Sequence, residues 1–169
     1  MGALPETQDL AAQRIWALLA EVPDPEIPVL SITDLGIVRH VRADASGALV
    51  VGLTPTYSGC PATEAIRAAV RDALDAHGFG AVRIEEVLSP AWSSAWLSAR
   101  GRGRLREFGI APPEAAVTSP RQLRPAPLPA CPRCGSRDSE RLSEFGSTPC
   151  KAHYRCNACR EPFDYFKCI

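Results

Sequence analysis

Two CxxC knuckles, Cys131-Pro132-Arg133-Cys134 and Cys156-Asn157-Ala158-Cys159, stand twenty-one residues apart in the last quarter of a 169-residue chain. Each knuckle turns two sulfurs to one side of a loop, and two knuckles brought together make a tetrahedral thiolate cage suited to zinc. Four cysteines leave no displaceable ligand, so the site reads as closed and structural; the same cage accepts iron, which spacing does not separate from zinc. A module of about forty residues buries too little apolar surface to fold securely alone, so the metal is expected to supply much of its folding free energy. Six of the seven cysteines lie after residue 130. Their paired spacing points to metal in a reducing compartment and away from a disulfide framework.

The chain ahead of the knuckles can hold one core of ordinary size, since 46% of all residues are hydrophobic. Lys plus Arg and Asp plus Glu both total 19. The zero formal charge gives no global attraction to nucleic acid or an anionic membrane, and neither is expected as a partner. No basic cluster precedes an apolar run at the N-terminus, and no apolar stretch approaches bilayer length, so the expected location is cytoplasmic.

A first helix is expected from Thr7 as cap, with Ala11, Ile15, Leu18, Leu19 and Val22 on one face and Pro23 as its stop. Pro23, Pro25 and Pro28 then deny the backbone a helix and hold Asp24 and Glu26 in an extended loop, both side chains pointing the same way. Metal binding, pairing with a cation, and capping or solvation all remain open for that pair. Ser31 to Gly36 reads as a turn. Residues 37–41 and 49–53 read as two strands of a hairpin around Asp44-Ala45-Ser46-Gly47. His40, in the first strand, reads as a surface residue.

The second strand runs into Thr54-Pro55-Thr56-Tyr57-Ser58-Gly59-Cys60-Pro61. Pro61 suits a first helical position, and Ala62, Ala65, Ile66, Ala69, Val70, Ala73 and Leu74 follow in helical rhythm, so Cys60 is predicted to be the helix cap. Free N–H groups and the positive dipole end would favour its thiolate, the form that attacks electrophiles and binds soft metals. The alternative is a buried, inert cysteine. Residues 82–88 read as a third strand. The order α-β-β-α-β gives an α+β domain, a small mixed sheet with helices packed on one face, and places the Cys60 loop at the rim of that sheet.

Trp92 and Trp96 stand one helical turn apart, with core packing as their default role. Arg100, Arg102, Arg104 and Arg106 form a basic run whose Gly101 and Gly103 predict a frayed helix. Residues 111–130 carry six prolines and read as a semi-extended linker. It divides a first domain, 1–110, from a four-cysteine ribbon, 131–169. Counting outward from the Cys156 to Cys159 turn sets Cys150 opposite Tyr165 and Cys168 about 10 Å further along, so two small packing thiols are the simpler reading of that pair.

Asp24-Pro25-Glu26-Ile27-Pro28, Asp34-Leu35-Gly36-Ile37-Val38 and Thr54 to Pro61 resemble the motifs of the MIP-eighteen or SufT-like domain of iron-sulfur protein assembly. Together with Trp92, Phe108-Gly109-Ile110, Gly146 to Lys151, Tyr154 to Cys156 and Glu161 to Cys168, the sequence resembles the PaaD family, encoded with the multicomponent phenylacetyl-CoA epoxidase. The resemblance implies a non-catalytic accessory protein that matures a metal centre, either the iron-sulfur cluster of the reductase component or the di-iron site of the oxygenase. It maps the family's characteristic cysteine onto Cys60 and its functional loop onto Asp24, Glu26, Thr56, Ser58 and Gly59. Epoxidase components are the implied partners.

A single thiol cannot hold a cluster. Transient iron or iron-sulfur ligation by Cys60 would need Cys150 and Cys168, a second subunit in a homodimer, or the client protein. Two other roles remain open: a docking subunit that carries no iron, and a thiol enzyme using Cys60. The latter would need His40, His77 or His153 as base, and His77 lies more than four helical turns from Cys60.

Overall fold

The computed structural model describes residues 5–57, 59–113 and 127–167, with side chains from Asp9 onward. It forms two compact units, Met1–Trp92 and Ser93–Ile169.

In the first unit, helix α1 (Pro5–Leu19) buries Ile15 and Leu19 completely. Thr7 lies inside this helix; the chain enters it earlier than the expected cap. Strands β1 (Val38–Ala43) and β2 (Leu49–Leu53) form the expected antiparallel hairpin. Its turn is held by Asp44 Oδ1, which accepts from the Ser46 and Ala48 N–H groups, and by Gly47 at φ 83°. Helix α2 (Ala62–Ala76) buries Ala62, Ile66, Val70 and Leu74 along one stripe. It ends where Gly78 takes φ 78°. The chain returns as β3 (Arg83–Glu86), parallel to β2, so the sheet is mixed, in order β1-β2-β3. The first unit is therefore α+β, as the periodicity predicts.

The proline loop departs from expectation. Asp24 is 6% exposed, and its Oδ1 accepts from the Glu26 and Ile27 N–H groups at 2.9 and 2.7 Å. This Asx turn replaces the extended segment, so Asp24 and Glu26 are not an aligned pair. Trp92 and Trp96 do not share a helix face either. Trp92 lies in a loop, buried, with Nε1 donating to the Leu35 carbonyl at 2.8 Å, while Trp96 ends a short 3-10 turn, Ser94–Trp96.

In the second unit, α3 (Ala99–Glu107) carries the arginine run as a formed helix. The Ser98 hydroxyl accepts from the Gly101 N–H at 2.8 Å, and Leu105 is fully buried, so capping and packing outweigh the two glycines. Strands β4 (Ile110–Ala111), β5 (Ser139–Ser143), β6 (Lys151–Cys156) and β7 (Pro162–Phe166) form one sheet in order β4-β7-β6-β5. β4 pairs in parallel with β7, so Ile110 and Ala111 belong to the second compact unit, which begins at Ser93. Of the expected linker, 114–126 lie outside the described residues.

Candidate functional site

The four knuckle cysteines converge. Their Sγ atoms all lie within 4.8 Å of one another, with Cys131 to Cys159 at 3.8 Å and Cys134 to Cys156 at 3.5 Å. A tetrahedral ion with bonds of about 2.3 Å needs sulfur separations of about 3.8 Å, so this chain's own geometry fits a thiolate-bound metal. The two knuckles are the same turn built twice. The Cys131 N–H donates to the Ser136 carbonyl at 2.8 Å, and the Cys156 N–H donates to the Glu161 carbonyl at 2.9 Å. The residue after each second cysteine takes a left-handed backbone, Gly135 at φ 76° and Arg160 at φ 65°. Cys131 and Cys156 are buried, Cys159 half-buried and Cys134 exposed.

Without a cation, four close sulfurs cannot all be thiolates. The backbone N–H of Cys159, against the opposing effect of burial, lowers Cys156 to about 7. The Ser136 N–H favours a Cys134 thiolate, but sulfur contacts with Cys156 and Cys159 prevail and push that thiol up to about 12. A divalent ion resolves the conflict by binding all four as thiolates.

Cys150 stands apart from this cage. Six residues of strand separate it from Cys156, about 20 Å. The Lys167 N–H donates to the Cys150 carbonyl at 2.9 Å, which sets Cys150 opposite Lys167 instead of Tyr165. The shift arises because Arg160 and Glu161 belong to the knuckle turn and lengthen the connection. Cys150 is 5% exposed with Thr148 Oγ1 at 3.0 Å from its sulfur. Cys168 lies outside the described residues.

In the first unit, the end of β2 is held on both sides. The Thr54 N–H donates to the Ile37 carbonyl at 2.9 Å and the Val87 N–H to the Leu53 carbonyl at 2.7 Å. The loop 55–60 leaves from this anchored point, with Thr56 half-buried, Gly59 exposed at φ 79°, and Ser58 outside the described residues. Pro61, already helical at φ −65°, takes the cap position of α2 without a side-chain bond, so Cys60 precedes the cap. The Cys60 thiol is half-exposed, its N–H donates to the Tyr57 carbonyl and its carbonyl accepts from Thr63. This is an accessible thiol at the mouth of a helix, one position earlier than periodicity suggests.

None of the three histidines is hydrogen-bonded to Cys60 among the described residues. His77 Nδ1 lies 2.9 Å from the Ala73 carbonyl, His153 Nδ1 lies 3.0 Å from Asp164 Oδ1, and His40 Nε2 lies 2.9 Å from Glu85 Oε1. The His40 contact spans the sheet above Gly52, which pairs with His40 on one side and Glu85 on the other. His40 is thus a structural residue of the sheet face, and the glycine inside β2 is the sequence signal for it.

Residues 115–167 match the PaaD zinc beta ribbon domain, and residues 12–85 match the family described as iron-sulfur cluster assembly protein. The chain resembles the crystal structure of a domain of unknown function, DUF59, from Bacillus anthracis. That likeness has a TM-score of 0.55 and 28% identity, covering 60% of this chain and 97% of the other. An "Fe-S protein maturation auxiliary factor" of Porphyromonas gingivalis (strain ATCC BAA-308 / W83) is 35% identical over 85 residues, 50% of this chain and 80% of that protein. A protein of Escherichia coli (strain K12), named as one of the subunits of a "Putative 1,2-phenylacetyl-CoA epoxidase", is 56% identical over 155 residues, 92% of each chain. With identity at that level along almost the full length, and a ribbon whose four sulfurs meet as the matched domain requires, the chain belongs to the PaaD family.

Proposed function

We propose that this protein is a non-catalytic accessory factor of a phenylacetyl-CoA epoxidase system, in which it matures the iron-sulfur cluster or di-iron centre of the monooxygenase. The observation that carries this reading is the half-exposed Cys60 thiol on a loop anchored at the rim of the sheet, inside the span that matches iron-sulfur assembly proteins. Iron, alone or as a cluster, is the cargo here. Cys60 supplies one transient ligand, and the remainder come from the client, from a second copy, or from Cys150 and Cys168. The ribbon cage holds zinc as a structural ion, in accord with the zinc ribbon it matches. No histidine hydrogen-bonds Cys60 among the described residues, which favours ligation over nucleophilic catalysis. Asp24 supports the loop architecture through its two backbone bonds.

Metal and sulfide analysis of protein purified without oxygen tests the reading, with wild type beside Cys60→Ser and Cys150→Ser/Cys168→Ser, and with epoxidase maturation measured in cells. The expected result is zinc in all three proteins and a loss of at least about tenfold in maturation for Cys60→Ser. Full maturation by Cys60→Ser, with zinc as the sole metal throughout, would replace cluster handling by the docking role.

A further inference from the structure

We propose that the turn between β5 and β6 docks a partner protein, with the Phe145 ring entering an apolar pocket and the Lys167 ammonium meeting a carboxylate at that pocket's edge. Phe145 is 63% exposed, and Leu142, three residues earlier, is 50% exposed. A large side chain at a turn tip ordinarily moves with its loop. This one is braced. The Phe145 N–H donates to Ser143 Oγ at 3.2 Å, and the Gly146 N–H donates to the Lys151 carbonyl at 2.7 Å. The turn lies so close to the strands beneath it that a Cβ on Gly146 would stand 3.1 Å from Asp164 Oδ1 and 3.2 Å from Lys151 Cβ. Just past the end of β7, Lys167 Nζ donates to the Glu144 carbonyl at 3.2 Å and stands 4.5 Å from the centroid of the Phe145 ring. The ring is therefore exposed yet held, which lowers the entropy it would lose on entering a pocket. Aromatic anchors of this kind carry much of the energy of protein interfaces.

The ammonium selects the polar half of the contact. Of its three donors one goes to the Glu144 carbonyl, and no carboxylate pairs with it among the described residues, because Glu144 is taken by Arg141 and Asp164 by Lys151 and His153. The zero net charge of the chain conceals a wider bias of the same sign. The second unit carries 13 Arg and Lys against 7 Asp and Glu, and the first unit 6 against 12. A zinc ion bound by four thiolates leaves that excess positive. Basic groups of the ribbon alternate with carboxylates, Arg133 with Glu161 and Arg155 with Glu140, and form no continuous stripe, which favours a protein over a nucleic acid. A second copy meeting this one turn to turn would set Lys167 beside Lys167, so a different protein fits better. Given the accessory role proposed above, on which this identification rests, the partner is the oxygenase or the reductase component of the epoxidase. A single transient thiol ligand supplies little affinity for such a client, and the ribbon turn supplies the rest.

The test measures binding of the zinc-loaded full chain to the purified oxygenase and, separately, to the purified reductase, by biolayer interferometry at low and high salt. Expected are saturable binding to one component, weakening with salt, a loss of at least about tenfold with Phe145→Ala, and no loss with Cys60→Ser. Lys167→Glu is expected to slow association and reduce the salt dependence. Phe145→Ala should keep the zinc content and thermal unfolding of the wild type; if it fails to fold, Lys167→Glu decides the matter. Unchanged affinity in Phe145→Ala, or association and salt dependence unaltered by Lys167→Glu, overturns the docking turn and leaves the accessory role standing. Binding of neither component by the wild type overturns both. Full maturation by Cys60→Ser beside a binding loss in Phe145→Ala removes cluster handling and keeps the docking turn. A dimer in sedimentation that Phe145→Ala dissociates, or binding of a single-stranded oligonucleotide that Phe145→Ala abolishes, overturns the proposal and makes a second copy or a nucleic acid the occupant.

Discussion

The ring of His40 lies across position 52 because that position has no side chain: a Cβ there would sit inside the van der Waals radius of the imidazole. The bare backbone lets Nε2 reach Glu85, which Arg42 also pairs at 3.1 Å. His40, chiefly, and then Arg42 hold the Glu85 carboxyl below the usual carboxylate range, so the contact lasts into weakly acid solution and is lost as pH falls through that lowered value. Gly52→Ala is expected to destabilise the protein by about 1–3 kcal/mol, as overpacking does. Urea unfolding checks this, and His40→Ala in the same chain should recover part of the loss by vacating the space. Nothing in the His40 strand alone announces this arrangement. Gly52 marks a close approach, but what approaches is forty-five residues from its partner, His40 to Glu85.

At the scale of elements, the knuckles were the most legible feature, because CxxC spacing is local and the turn it encodes is short. Their chemistry predicts a pH dependence. With Cys134 up at about 12 and Cys156 down at about 7 in the metal-free cage, zinc must displace protons at neutral pH. Zinc affinity should therefore rise steadily between about pH 6 and 8, with proton release on binding, as read by competition with a chromophoric chelator in buffers of different ionisation enthalpy. A flat affinity over that range would mean that binding displaces no protons, so that the ligating sulfurs are already thiolates in the metal-free cage. The hairpin register was less legible, since the left-handed Arg160 gives no glycine to mark the length of the second turn. That extra length moved the partner of Cys150 by two residues, to Lys167. The arginine helix is firmer than its two glycines suggest for a related reason: glycine propensity is local, while the burial of Leu105 that stabilises α3 is not.

For the whole molecule, the composition shift at residue 111 suggests a boundary that the hydrogen bonds do not respect. Ala111 in β4 is 1% exposed and belongs to the ribbon core with Cys131, Ala152, Tyr154, Cys156 and Phe163. Arg102 of α3 donates to the carbonyls of Ser94 and Pro113, fastening both ends of the α3–β4 segment within the same unit. A zinc-loaded fragment of residues 93–169 is therefore expected to unfold cooperatively, and a fragment of 127–169, lacking β4 and α3, to be less stable by about 2 kcal/mol or more from the apolar area it leaves exposed. Thermal denaturation of the two with equal zinc occupancy measures the difference; equal stability would make β4 a passive addition.

What the sequence by itself determined is what short-range chemistry encodes: the four-sulfur cage, the hairpin at Asp44 to Gly47, the stripe of α2, and a cysteine where β2 gives way to that helix. Only the tertiary structure decided that Asp24 caps its own turn, that His40 reaches Glu85 over Gly52, and that β4 joins the ribbon. Each of these depends on which groups meet after the chain has folded back on itself, and such meetings leave no periodic trace along the sequence because the partners' separation is set by loop lengths and not by the repeat of a helix or strand.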